Sequence, residues 1–190
     1  MEQIDRSSLL IQKMANGSPV VNIYKQWNIV CEEIPFPKIE SKDLPTHDFS
    51  SIDGEDTYIP SYIPIKAYDL TIKFYYSGNY DTCYTNIVKG FIAYLQGTAP
   101  LNDDYDSITE VGFKIVDQHN MIGRQKVYMK SFDPGTLAHL DGDKLSFKLN
   151  FRVTDPSTDI TLIDPKAKVT LWHTIYTAKM EILLGVLLTR

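Results

Sequence analysis

The stretch DKLSFKLNFRVTDP, residues 143–156, limits the possible folds more than any other part of the chain. Leu145, Phe147, Leu149, Phe151 and Val153 occupy every second position, with Lys144, Ser146, Lys148, Asn150, Arg152 and Thr154 filling the gaps. Side chains alternate between the two faces of a strand, so the five apolar groups share one face and the polar set the other. A helix would scatter them around its circumference. Burying each of these side chains contributes about 1.5–3 kcal/mol before the entropy of ordering is subtracted. Such a strand requires an apolar partner surface, and the rest of the chain has to build it.

Residues 66–77 supply a second alternating strand, in which Tyr68, Leu70, Ile72, Phe74 and Tyr76 interleave with Asp69, Thr71, Lys73 and Tyr75. The period then changes. From Asp81, read as the N-cap, to Gln96, apolar residues fall at Tyr84, Ile87, Val88, Phe91, Tyr94 and Leu95, one face of a four-turn helix that Gly97 stops. Residues 109–116 and 124–132 read as strands joined in a hairpin by the turn at 118–123, and 160–163 as a short apolar piece. Residues 20–30, rich in Val, Ile, Tyr and Trp, read as a strand or a pair broken near Gln26. Residues 1–17 read as a short helix with Ile4, Leu9, Leu10, Ile11 and Met14 on its apolar side, ended by Asn16-Gly17. Residues 166–190 fit either a strand through Val169, Leu171, His173 and Ile175 or a helix striped by Ile175, Lys179, Ile182, Leu183 and Val186.

This order predicts a mainly β (α+β) fold, an antiparallel β-sandwich or small barrel with one flanking helix. At 190 residues the chain suits a single domain, 1–190. Its core is expected at about 53–165, with an N-terminal arm at 1–50 and a C-terminal extension at 166–190.

The least regular part is EEIPFPKIESKDLPTHDFSSIDGEDTYIPSYIPIK, residues 32–66, which holds Pro35, Pro37, Pro45, Pro60 and Pro64. Each proline removes a backbone donor and biases its predecessor toward extended geometry. Asp53-Gly54 signals a tight turn. Ile34, Phe36, Phe49, Tyr58, Ile59, Tyr62 and Ile63 set the segment apart from a disordered linker. It reads as an extended arm or β-hairpin lying on a surface, its own or a neighbour's.

The net charge of −5 opposes phosphate-driven nucleic-acid binding, which needs a basic surface. Cys31 and Cys83 either pair or remain free buried thiols, and the second state fits folding in a reducing compartment. The acidic start MEQIDRSSLLIQKMANG makes a poor signal peptide, and the apolar run at 182–188 is too short to span a bilayer. His47, His119, His139 and His173 form no metal-binding spacing. Asp103, Asp104 and Asp106 lack the glycine and glutamate that a calcium loop places at fixed positions, and read as a solvated loop. GxSxG, P-loop and GxGxxG patterns are absent. The sequence therefore assigns no catalytic, cofactor-binding or metal-ligating residue. Phe74-Tyr75-Tyr76 and the pair Tyr58/Tyr62 suit stacking on sugars or bases as well as they suit strand packing.

The stretch DGEDTYIPSYIPIKAYDLTIKFYYSG, the helix TNIVKGFIAYLQG, the hairpin MIGRQKVYMKSFDPG and the strand LSFKLNFRVTDP occur in an order that resembles the structural proteins of long-tailed bacteriophage tails, the tail-tube and distal-tail adaptor group. The resemblance covers residues 53–156 and rests on pattern, including a strand that ends in Asp155-Pro156. It implies a non-enzymatic virion protein, assembled in the bacterial host cytoplasm, that closes into a homo-oligomeric, hexameric ring. Tube, neck or baseplate proteins of the tail would be its partners, and DNA would pass through the ring lumen without sequence-specific contacts. No cofactor and no membrane contact are implied. The polar residues Lys148, Asn150 and Arg152 would line the lumen or outer wall of a ring, or simply form a wet sheet face. The competing readings are a β-sandwich module that binds carbohydrate or peptide through exposed tyrosines, and an enzyme whose groups meet only in the fold.

Overall fold

The computed structural model describes residues 9–48, 53, 56–99, 110–135, 145–156, 160 and 162. In chain order these hold β1 (Leu9–Lys13), β2 (Val20–Asn22), helix α1 (Ile23–Trp27), β3 (Ile29–Glu33), β4 (Thr46–His47), β5 (Asp56–Thr57), β6 (Tyr68–Tyr76), a composite helix, β7 (Phe113–Asp117), β8 (Ile122–Asp133) and β9 (Leu145–Asp155). Seven strands pair antiparallel in the order β2-β1-β7-β8-β9-β6-β3, and β4-β5 form a separate small pair. The fold is mainly β with one flanking helix, as the sequence predicts.

The alternating strand at 145–155 lies between β8 and β6, and its register with β6 runs unbroken from Tyr68 opposite Val153 to Tyr76 opposite Leu145. All five apolar residues of β9 are buried. The sheet is strongly curled. Flat, its seven strands would put β2 and β3 about 29 Å apart. The chain passes from β2 to β3 through only the five residues of α1 and Asn28, a link that reaches roughly 15 Å. Curling brings both edges to the same helix, without a β2–β3 pairing to close the barrel. Two irregularities in β8 contribute to the bend. Between Arg124 and Val127 the strand carries an extra residue, with Lys126 at φ 51°, and the register shifts again between Met129 and Ser131.

The α1 link has its own local code. The Asn22 side chain accepts from the backbone N–H of Tyr24 and Lys25, and Asn28 ends the helix in the left-handed region, its N–H donating to the Tyr24 carbonyl. The interruption foreseen near Gln26 is therefore a helix. Its Trp27 packs against Phe91 and Tyr94 of the composite helix, at ring-centroid distances of 5.2 and 5.3 Å.

The composite helix consists of a 3₁₀ turn at Tyr80–Thr82, a π-helical stretch at Thr85–Ile92 and an α turn at Ala93–Leu95. It is capped by Asn79 rather than Asp81, and Gly97 follows with φ 71°, as its reading as a stop requires. The wider π turn shifts the buried stripe: Ile87, Phe91, Ile92, Tyr94 and Leu95 are buried, while Tyr84 is exposed. Lys13 of β1 is buried beneath this helix. Its Nζ donates to the Leu95 carbonyl at 3.1 Å and lies 4.7 Å from the centre of the Tyr94 ring. A cation fits there, at the negative end of a helix.

Three further expectations are corrected. Residues 9–13 are a strand, not part of a helix over 1–17. Strands β1–β3 belong to the sheet, so the core takes in residues that were expected in an N-terminal arm. The strand expected from residue 109 begins at Phe113, and Val111 is exposed. After β9, Ile160 and Leu162 bury against Val116 on the outer face of the sheet, with Leu10 and Val20 beside them. The tail at 166–190 and the acidic cluster Asp103, Asp104 and Asp106 lie outside the described residues.

Candidate functional site

Between Ile34 and Lys66 the chain leaves the sheet and returns as a two-stranded arm, the hairpin foreseen from the prolines. Its stem is zipped by backbone bonds, with Lys66 N–H to the Glu40 carbonyl at 2.7 Å and Lys42 N–H to the Pro64 carbonyl at 2.8 Å. Ser41 bridges Ile65 between them. Farther out, Thr46 and His47 of β4 pair with Thr57 and Asp56 of β5. The prolines confine the pairing to short pieces because each lacks a donor.

Side-chain charges support the stem weakly. Lys66 Nζ lies 3.0 Å from Asp43 and 3.7 Å from Glu40, which also meets Lys38 at 2.8 Å. The bond from Lys38 holds the Glu40 carboxyl below its usual range, and the bond to Asp43 raises the Lys66 pKa. Exposed pairs of this kind contribute little net stability.

The arm's apolar side chains face water. Phe36, Ile39, Tyr58, Ile59 and Tyr62 are 72%, 79%, 71%, 73% and 68% exposed, and Ile63 is exposed as well. Large apolar groups gathered on one projecting element mark an interaction surface. Ile34 differs from the rest, being packed against the core. Phe49 lies outside the described residues.

The polar face of β9 is occupied within its own sheet. Arg152 Nη1 and Lys130 Nζ both reach Asp69 at 3.0 Å, and Asn150 bonds to Thr71 and Ser131. The bonds from Lys130 and Arg152 hold Asp69 below its usual pKa. Residues satisfied sideways in this manner make a stable wet face. Of the aromatics considered for stacking, Phe74 and Tyr76 are in the core, the Tyr76 hydroxyl being engaged with Thr82 and Asn86. Tyr58 and Tyr62 are on the arm.

Among the described residues, no three His, Cys, Asp or Glu side chains gather as a metal-binding group, and no helix is long and apolar enough to cross a membrane. His47 sits on β4 and His119 in the β7–β8 turn, where its backbone N–H donates to Asp117. His139 and His173 lie outside the described residues. Cys31 and Cys83 are both free. Burial, then the charge of Asp117, pushes the Cys31 thiol up to about 12. Ile39 was not singled out in the sequence, where a lone isoleucine between charged residues carries no periodic signal.

No protein-family model and no curated protein sequence matches this chain. Among solved structures, a chain of the phage p2 baseplate in its activated conformation with strontium is similar at a TM-score of 0.52 and 9% identity. A chain of the same baseplate with calcium gives 0.51 and 9%. In each case the match covers 85% of this chain and 52% of the other. At that identity the likeness is one of fold, and this chain spans about half the length of the chains it matches.

Proposed function

We propose that this chain is a structural protein of a bacteriophage tail, in or next to the baseplate, and that it acts by assembly rather than by catalysis. The observation that carries this reading is the arm. Six large apolar side chains, Phe36, Ile39, Tyr58, Ile59, Tyr62 and Ile63, stand in water on an element that projects from an otherwise well-filled core. A lone monomer gains nothing from such exposure, whereas a subunit in a closed ring uses the same surface as interface. The fold likeness to phage p2 baseplate chains supports the setting.

In the finer reading, one domain spans 1–190, six copies close into a ring, and other tail proteins stack above and below in the virion. Each arm lies on the neighbouring copy, and the wet face of β6, β8 and β9 remains in solvent. Negative-stain electron microscopy of the purified protein tests this directly. Rings of uniform diameter support it, and a field of isolated particles of monomer size at high concentration would rule out self-assembly.

A further inference from the structure

The arm offers a partner negative charge as well as apolar side chains. Between Ile34 and Lys66 it holds six carboxylates against three lysines, and after Lys42 no lysine or arginine follows until Lys66. Asp48, Asp53, Glu55 and Asp56 all fall in that outer part. The root is held by Arg124, 1% exposed, whose Nη2 donates to the Pro35 carbonyl at 2.6 Å, so the arm leaves the core at a set place. Two arms meeting across a two-fold axis would bring like charges together. The arm therefore needs a different surface, and in a closed ring that surface belongs to the next copy of the same chain.

A surface of that kind stands at the other end of β3 and β6. The arm joins these strands on the side of Glu33 and Tyr68, while their far ends, Ile29 and Tyr76, pair with each other beside the two helices. The nine residues of β6 separate its ends by about 26 Å. Just past Tyr76, Tyr80 and Tyr84 are 53% and 60% exposed and four residues apart, and Lys89 Nζ lies 5.9 Å from the centre of the Tyr84 ring. Tyr24 is exposed on α1, and the Asn28 carbonyl at the end of that helix accepts from the Ser77 N–H just ahead of Tyr80. Among the described residues no carboxylate forms an ion pair with Lys89, and Lys25 and Asp81 are the other charged groups on these turns. The remaining exposed apolar groups outside the arm are dispersed: Met14 beside the Val111–Gly112 turn, Met121 between β7 and β8, and Tyr128 on the wet face.

We infer that Tyr24, Tyr80, Tyr84 and Lys89 form the seat that receives the arm of the next copy. The inference rests on the reading of the arm as a subunit interface and names the surface on which it lands. The three tyrosines supply apolar area with a polar edge to match Phe36, Ile39, Tyr58, Ile59 and Tyr62. Lys89 meets the acidic outer part of the arm. Because arm and seat lie at opposite ends of β3 and β6, the contact is head-to-tail. Each copy gives one arm and receives one, and the series closes when the rotation between copies closes.

Sedimentation velocity on two variants, alone and mixed, tests this. The seat variant carries Tyr24→Ser, Tyr80→Ser and Tyr84→Ser, and the arm variant carries Phe36→Ser, Ile39→Ser, Tyr58→Ser, Ile59→Ser and Tyr62→Ser. Each alone is expected to be a monomer while the intact chain assembles. Mixed, they retain one good arm and one good seat between them, so they form a one-to-one dimer of the 21.7 kDa chain that grows no further. Lys89→Glu added to the arm variant weakens that dimer about tenfold by setting like charges together. A seat variant that assembles like the intact chain overturns the seat and leaves the arm's role standing, whereas an intact chain that stays monomeric overturns both. A mixture that remains monomeric, or grows past the dimer, also overturns the seat. If the seat variant loses its circular dichroism, Lys89→Glu in the intact chain decides, and assembly as tight as before overturns the proposal.

Discussion

The indole of Trp27 occupies the space that a side chain at Gly90 would need: a β-carbon there would stand 2.8 Å from both Cδ1 and Nε1 of the ring. Helix α1 and the composite helix meet at this point, and through it the two edges of the sheet are held together. The indole has little room to retreat, since Phe91 and Tyr94 pack on it and it is 5% exposed.

Gly90→Ala is accordingly expected to destabilise the protein although alanine is the better helix former. The propensity gain is about 1 kcal/mol. Forcing a methyl against an immobile buried ring costs about 1–3 kcal/mol, and the Thr85 carbonyl at 3.3 Å adds to the crowding. Urea unfolding followed by tryptophan fluorescence should show a lower midpoint, and a higher midpoint would mean that the Trp27 contact is loose.

Phe74 and Phe147 form the centre of the β6–β9 pairing, directly opposite in register with rings stacked at 5.5 Å. Phe147→Ala should cost about 3–5 kcal/mol, the usual loss for a large buried aromatic. Chemical denaturation measures it. A loss below about 1 kcal/mol would place the core elsewhere than between the alternating strands.

Lys13 makes stability depend on pH in a definite direction. Burial pulls its pKa from 10.5 down to about 8, with the charge of Glu110 opposing. Between those values the unfolded chain holds a proton that the folded chain has lost, so stability rises with pH across the window. The gain is complete above 10.5 and is lost as pH falls through 8. Lys13→Met lacks this gain. The difference in unfolding free energy, wild type minus variant, should therefore grow by about 3 kcal/mol from pH 7.5 to 10.5. A difference that stays flat with pH would show that Lys13 is solvated in the folded state.

Cys31 should resist alkylation. With its thiol pushed up to about 12, the thiolate fraction at pH 8 is roughly a thousandfold below that of a free cysteine. Iodoacetamide labelling read by peptide mass should leave Cys31 unmodified in the native protein and modify it in guanidinium. Rapid native labelling would mean that β3 opens at the sheet edge.

How far the sequence revealed this structure depended on how many faces each strand buries. β6 and β9 bury one face, so their alternation is plain. β1 is covered on both: Leu9, Ile11 and Lys13 face the interior, while Leu10 lies against the outer cluster of Val116, Ile160 and Leu162. A strand buried on both faces loses its alternation, so the apolar run Leu9-Leu10-Ile11 followed by the buried polar pair Gln12 and Lys13 carries no strand period and reads as helix. The π turn displaced the helical stripe in the same way, by changing the period that the reading assumed. The arm was legible through its prolines and aromatics, because residues that obstruct regular pairing and yet remain apolar need a surface. Arg124 was not. An arginine in a strand looks like a solvent-facing residue until the bulge and the path of Pro35 bury it.

Sedimentation velocity on the intact chain and on an arm variant tests the central claim most directly. The variant carries Phe36→Ser, Ile39→Ser, Tyr58→Ser, Ile59→Ser and Tyr62→Ser, all at exposed positions, so its core should fold as before. The intact chain is predicted to sediment as a closed oligomer of the 21.7 kDa subunit, six copies in the ring proposed, and the variant as a monomer with the same far-ultraviolet circular dichroism. An intact chain that remains monomeric at high concentration, or a variant that assembles as well as the original, would contradict the account.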